Sequence, residues 1–324
     1  MSHIEELTKP SDVKRVAIVG AGTIGSSWAA HFLGQGMEVR FWDPAPDCDT
    51  QVRSFVDNAW PALERLGLCP GASLDKLHYC PDIASALDGA QFVQESAPEV
   101  HALKVELYEK FDDALPENAI MATSSSGLLL SELQAGRRGA SRYVLGHPFN
   151  PPHLIPLVEV LGGKDTARAS VDWAIAFYNT HGKKAIRLNK EVPGHLVNRI
   201  QVALWREAID ALATGLASVE DIDAAIAYGP GLRWAVMGPH MIFNLAGGQG
   251  GMQNFLEHLV PPLERWWDTV GRSPLTDDIK RQLIDGCNKA AAGRSIDELA
   301  AQRDQMLLDL MEALNSSRAS QAEP

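Results

Sequence analysis

The sequence predicts an α/β chain in which a doubly wound, mostly parallel sheet is followed by a second, all-helical domain. Three observations predict it. The apolar run Val16-Ala17-Ile18-Val19 leads directly into glycines at G-x-G-x-x-G spacing and then into a helical pattern over residues 26–33. Strand-like and helix-like stretches alternate from there to about residue 180. After Pro193-Gly194 nearly every stretch carries helical periodicity. The expected domains are therefore residues 1–194, which hold the sheet, and residues 195–324, which are helical.

Each glycine has a distinct task. Gly20 permits the tight turn, Gly22 lets backbone approach a pyrophosphate, and Gly25 lets the helix pack close on the strand. With Thr23 and Ile24 they form a loop whose free N–H groups, at the positive end of the helix dipole, suit phosphates. This is a Rossmann-type arrangement. The second strand, residues 38–42, ends at Asp43, about 20 residues beyond the glycines. A carboxylate there bonds the ribose hydroxyls and repels a 2′-phosphate, so NAD is expected over NADP. The plainer reading of Asp43 is a turn residue before Pro44.

The later elements follow in order. Residues 50–66 are amphipathic through Val52, Phe55, Val56, Ala59 and Leu63, with Pro61 expected to kink or divide the helix. Strands are expected at residues 92–96, 119–122, 143–146 and 157–160, with helices at 100–111 and 171–180. Beyond the boundary, helices are expected at 219–227 after the cap Ser218, then at 238–259 and 276–291. The last, 295–314, opens on the capping-box spacing Ser295-Ile-Asp-Glu298, and the polar tail 315–324 is expected to fray.

The chain has 324 residues, 45% of them hydrophobic and 22% charged, which suits a globular protein of two domains. The net charge of -12 and the absence of a basic run argue against nucleic acid and anionic membrane as partners. The four cysteines, Cys48, Cys69, Cys80 and Cys287, lack C-x-x-C spacing, so no metal site is expected. No signal-peptide core and no apolar run of spanning length occurs, and a reducing cytoplasm is the expected compartment.

Polar residues fall at the ends of successive strands: Ser124 to Ser126, then His147, with Glu159 inside the next strand. In a doubly wound sheet such ends line one crevice. A histidine suits proton transfer near neutral pH, and a carboxylate can fix its tautomer. A hydroxyl and an amide, such as Asn198, can hold a substrate oxygen. Together these are the parts a dehydrogenase needs beside a nicotinamide. The plainer reading of His147 is a satisfied histidine in a proline-rich turn.

Gly20 to Gly25, Ser126, His147-Pro-Phe-Asn-Pro151, Leu157-Val-Glu159 and Pro193-Gly-His-Leu-Val-Asn-Arg199 resemble, in order and spacing, the motifs of the L-3-hydroxyacyl-CoA dehydrogenase superfamily. The resemblance covers nearly the whole chain. It implies that His147 is the base, Glu159 its orienting partner, and Ser126 and Asn198 the holders of the substrate oxygen. It also implies that Glu99 and Lys104 contact the cofactor, and that the helical domain forms a homodimer.

Two departures from the acyl-CoA pattern stand out. Pro148 replaces the first of two aromatics after the histidine. Residues 50–77 offer only Arg53, Arg65 and Lys76 to the phosphates of CoA. Asn58-Ala-Trp60-Pro-Ala-Leu63, Gln94-Glu-Ser-Ala-Pro-Glu99, Ala203-Leu-Trp205-Arg-Glu207 and Gly231-Leu-Arg233-Trp234 are instead similar to the branch of carnitine dehydrogenases, gulonate dehydrogenases and lambda-crystallins. Within that branch the closer resemblance is to the carnitine dehydrogenases, which implies NAD-dependent oxidation of L-carnitine, a small hydroxy acid, to 3-dehydrocarnitine. Gulonate or a 3-hydroxyacyl-CoA is the rival substrate, and a non-catalytic crystallin-like protein is the rival class.

A quaternary ammonium is commonly held by aromatic faces. Trp205, Trp234 and Phe243, with Trp266 and Trp267, could supply them, and Glu207 could add charge. The plainer reading puts these aromatics in core or dimer interface. Arg199, Arg206 or Arg233 could take a substrate carboxylate.

Overall fold

The computed structural model describes residues 7–322. The first compact unit ends at Leu196 and the second begins at Val197. In the first, strands and helices alternate as β1 (Arg15–Val19), α1 (Thr23–Gly34), β2 (Glu38–Trp42), α2 (Cys48–Leu66), β3 (Leu77–Tyr79), α3 (Ile83–Leu87) and β4 (Phe92–Glu95). They continue as α4 (His101–Ala114), β5 (Ile120–Thr123), α5 (Leu130–Leu133), β6 (Tyr143–Pro148), β7 (Leu157–Gly162), α6 (Arg168–Thr180) and β8 (Lys184–Arg187).

The eight strands form one sheet in the order β3-β2-β1-β4-β5-β6-β7-β8. Every neighbouring pair is parallel except β6 and β7, which are antiparallel. The order reverses between β1 and β4, which opens a crevice at their carboxyl ends. Helices bury both faces, as expected of a parallel sheet. Trp28, Phe32, Phe92 and Phe177 pack on one face, and Tyr108, Phe111, Met121 and Tyr143 on the other. Each burial of this kind is worth roughly 1.5–3 kcal/mol per large side chain.

Some expectations needed correction, and two strands went unread. The helix α2 is not divided at Pro61 but continues through it. Pro61 and Asp57, whose carbonyl loses its donor, are both exposed, so the freed acceptor is open to water. The short strands β3 and β8 carried too few alternating residues to stand out in the sequence. The single helix expected over 238–259 is two, because Gly248 and Gly251 take φ of 61° and 57° and turn the chain between them.

The second unit holds α7 (Val197–Ala213), α8 (Val219–Tyr228), α9 (Pro230–Val236), α10 (Pro239–Ala246), α11 (Gly251–His258), α12 (Val260–Trp267), α13 (Asp277–Ala291) and α14 (Ile296–Ala322). Ser218 caps α8, and Ser295 and Glu298 form the reciprocal capping box of α14. That last helix continues to Ala322, where fraying from residue 315 was expected. Ile209, Phe255, Ile279 and Leu308 are buried in this unit, while Ile200, Val202, Trp266 and Trp267 are each at least 59% exposed.

Candidate active site

The glycine loop fits a dinucleotide. Gly20 has φ of 87°, and a Cβ there would lie 2.5 Å from the Ala97 nitrogen. A Cβ on Gly25 would lie 1.9 Å from the Gly20 carbonyl oxygen, so α1 could not approach β1 with any other residue there. Gly22, by contrast, faces open space. It is the N-cap of α1, and no side chain caps that helix, so its first N–H groups are available to a phosphate. Thr23 and Ile24 open the helix.

Asp43 follows β2 at the same end of the sheet. Its Oδ2 accepts from the Ala21 N–H at 2.7 Å and its Oδ1 from the Ala45 N–H at 2.8 Å. Asp43 thus serves the turn and also braces the glycine loop. A carboxylate has room for further donors, so the turn role leaves lone pairs that a ribose could use. A cleft of about 450 Å³ opens beside it, lined by Pro44, Pro46, Tyr79 and Pro81.

Glu99 is a loop organiser. Its Oε1 accepts from the N–H groups of Ser126, Gly127 and Leu128 at 3.0, 2.7 and 3.0 Å, and from Ser125 Oγ at 2.6 Å. Partial burial acts to raise its pKa, but the Ser125, Gly127 and Leu128 hydrogen bonds and the Lys104 charge outweigh it and hold the carboxyl below its usual range. Lys104 is 1% exposed and donates to Glu95 Oε1 at 2.6 Å, with Glu99 at 4.0 Å. Its ammonium is therefore buried behind the strand end, and Glu99 is the member of the two that reaches the surface.

His147, near the end of β6, faces Glu159 of β7 directly across the strand register. Nδ1 lies 2.8 Å from Glu159 Oε2, and Nε2 lies 3.1 Å from Ser126 Oγ. The other carboxylate oxygen accepts from the Leu196 N–H at 2.9 Å, which fixes the carboxylate plane. Glu159 accepts the Nδ1 proton, so Nε2 carries the lone pair and points at the Ser126 hydroxyl. This arrangement can take a proton from an alcohol lying beside Ser126.

Sequence reasoning gave no role to His195. Its ring stands 5.0 Å from that of His147, and it is buried. Nε2 lies 3.0 Å from the Ser125 carbonyl, which only accepts, so Nε2 carries the proton. Burial lowers the pKa of His195, against the pull of the Ser125 carbonyl, which favours a neutral ring beside His147. The one available signal was a histidine inside the glycine-led stretch Pro193-Gly194-His195, where it adopts a positive φ of 49°.

The helical unit carries the remaining candidates. Asn198 lies in the first turn of α7. Trp205 lines a cavity of about 680 Å³ with Leu204, Ala208, Ile222, Asp223 and Ile226. Arg206 lays its stem against Gly271. Phe243 stacks on Phe255 with centroids 4.8 Å apart, and Trp234 sits on α9. Among the described residues, no ring contact joins Trp205, Trp234, Trp266 or Trp267 to each other or to Phe243.

Comparison with known proteins accords with this geometry. Residues 15–192 match the family model of the 3-hydroxyacyl-CoA dehydrogenase NAD binding domain, and residues 194–274 that of its C-terminal domain. The chain is 49% identical to an L-carnitine dehydrogenase of Streptomyces coelicolor, covering 95% of this chain and 96% of that one. It is 44% identical to an L-carnitine dehydrogenase of Burkholderia mallei, covering 94% of each. Among solved structures, an NAD-dependent 5-formyl-3-hydroxy-2-methylpyridine 4-carboxylic acid 5-dehydrogenase matches with a TM-score of 0.80 and 28% identity, over 94% of this chain and 99% of that one. A (S)-3-hydroxybutyryl-CoA dehydrogenase from Ralstonia eutropha matches with a TM-score of 0.62 and 28% identity, over 76% and 85%. The chain belongs to the 3-hydroxyacyl-CoA dehydrogenase family and is an NAD-dependent hydroxy acid dehydrogenase.

Proposed function

We propose that this enzyme oxidises L-carnitine to 3-dehydrocarnitine. The observation that carries the choice of substrate is its likeness, over nearly the full length of both chains, to L-carnitine dehydrogenases. Bound NAD supplies the hydride acceptor. His147 Nε2 takes the hydroxyl proton as the C–H hydride leaves and the carbonyl forms. Glu159 holds the productive tautomer and offsets the charge that develops on the ring. Ser126, beside Nε2, keeps the substrate oxygen in line. The family resemblance assigns Asn198 to the same oxygen.

Several features favour a small cation over a CoA ester. Of the cations between residues 50 and 77, Arg53 is paired with Asp49 at 2.8 Å and Lys76 donates to the Gly36 carbonyl at 2.9 Å. Both are therefore committed within the protein. The exposed aromatics Trp205, Trp234 and Phe243 offer faces to a trimethylammonium, and Arg206 is a candidate partner for the carboxylate. The exposed apolar side chains of the helical unit also support a homodimer. Four free cysteines fit a reducing, cytoplasmic setting.

The test is NADH formation with L-carnitine, L-gulonate and (S)-3-hydroxybutyryl-CoA as alternatives. L-carnitine should exceed the others in kcat/KM by at least about tenfold, on the order of one or two desolvated cation–π contacts. No turnover of carnitine beside good turnover of gulonate or the thioester would overturn the substrate and leave the dehydrogenase assignment standing.

A further inference from the structure

A hydrogen-bonded chain runs from α6 past β4 to the carboxyl ends of β4 and β5, at the crevice. Tyr178 Oη lies 2.6 Å from Gln94 Oε1, and both residues are fully buried. Gln94 Nε2 lies 2.8 Å from Ser124 Oγ and 3.2 Å from the Gly146 carbonyl oxygen. Ser124 Oγ lies 2.9 Å from Ser96 Oγ. The two serines follow β5 and β4 and are only partly buried.

The direction of this chain is determined by its chemistry. The Gly146 carbonyl only accepts, so Gln94 must turn its amide NH₂ towards it. That leaves Oε1 for Tyr178, whose phenol burial keeps protonated, so the phenol donates. Both amide hydrogens are then engaged, one of them on Ser124 Oγ. Ser96 and Ser124 own two hydroxyl hydrogens, and their mutual contact uses one. Whichever serine donates in that contact, one O–H remains for a ligand acceptor.

We propose that Ser96 and Ser124, oriented by Gln94 and Tyr178, receive the carboxamide oxygen of the nicotinamide. Asp43, beyond β2, is placed for the adenosine ribose, so the nicotinamide half crosses the switch point to the ends of β4, β5 and β6. The surplus donor sits there. Backbone bonds anchor both serines, Ser96 N–H to the Val19 carbonyl at 2.7 Å and Ser124 N–H to the Glu95 carbonyl at 2.8 Å. Gly146 directly precedes His147 in β6, so one glutamine amide sets both the carboxamide donor and the strand that carries the base. The inference rests on where NAD sits and not on which hydroxy acid is oxidised.

Removing either serine alone still leaves one free O–H, so the informative variant is the double replacement Ser96→Ala with Ser124→Ala. Dissociation constants are measured by calorimetry for NAD, for its thionicotinamide analogue and for ADP-ribose. The sulfur of the analogue is a poor acceptor, and ADP-ribose lacks the nicotinamide. The wild type should prefer NAD over the thio analogue. In the double variant NAD should bind roughly two- to tenfold more weakly, the weight of one such hydrogen bond. ADP-ribose should bind as before, and the preference for NAD over the thio analogue should shrink by the same factor. An unchanged preference, or equal losses for NAD and ADP-ribose, would overturn the proposal.

Discussion

His147 and Glu159 are directly opposed residues of the antiparallel β6–β7 pair, with Nδ1 and Oε2 2.8 Å apart. The register of that pair, more than any local motif, brings the proposed base and its partner together. Replacing His147 by Gln should cut turnover by roughly 10²–10⁴-fold. NADH binding, followed by fluorescence titration, should stay within about tenfold of wild type, the most that one neutral contact is worth. Glu159→Gln should also lower turnover, since an amide can present its NH₂ to Nδ1 and favour the wrong tautomer. Near-normal turnover in either variant would remove that residue from the mechanism.

Asp43 braces the glycine loop through the Ala21 N–H and keeps lone pairs for a ribose. The wild type should use NAD in strong preference to NADP. Asp43→Ser should narrow the ratio of their kcat/KM values by at least about tenfold, the scale of one charge repulsion near a surface. Equal use of both cofactors by the wild type would refute the ribose role.

Lys183 holds the loop between β6 and β7. Its Nζ donates to the Pro152 and Ile155 carbonyls and lies 5.2 Å from the centroid of Trp28. Burial brings its pKa from 10.5 down to about 7. Between these values the unfolded chain binds a proton that the folded chain has released, so stability rises as pH increases from about 7 towards 10.5. The slope is at most about 1.4 kcal/mol per pH unit. Lys183→Met should flatten it, and thermal melts between pH 7 and 9.5 in wild type and variant check this; parallel slopes would refute it.

On the acid side, burial lowers the pKa values of His31, His181 and His195. The unfolded chain gains protons below about pH 6.5 that these folded histidines do not take up, so stability should fall with pH there. His195→Phe should reduce that loss in melts between pH 5 and 7. An unaltered dependence would mean that His195 is protonated in the folded chain.

The exposed tryptophans and aliphatics of the helical unit predict self-association. Light scattering at micromolar concentration should give about twice the 35.2 kDa mass of the chain. Asp in place of Trp266 or Trp267, each at least 60% exposed, tests whether that face is covered. A monomeric wild type would count against the dimer.

Local interactions made much of this protein legible without a structure. The strand, glycine loop and helix around Gly20 to Gly25, and the acid at Asp43, are read from neighbours a few residues apart. So are the caps Ser218 and Ser295, because turn geometry, phosphate approach and capping all act within one or two turns of chain. The change from alternating elements to helices near residue 194 is legible for the same reason. The residues of the proposed base were also legible as candidates, since His147 stands near a strand end and Glu159 inside the next strand.

Tertiary structure alone decided how those candidates are used. The antiparallel turn of β7 sets His147 opposite Glu159, where a slip of one residue would send the carboxylate to the other face. Sheet order places Glu95 against Lys104 and buries both, so the expected cofactor lysine becomes an internal counter-charge. The same order assembles Tyr178, Gln94, Ser124 and Ser96 from α6, β4 and the ends of two strands. It also sets His195 against His147 from a segment 48 positions later in the chain. Such partners meet only when the register and order of strands are known, and those are set by the packing of the whole sheet rather than by the residues beside each partner.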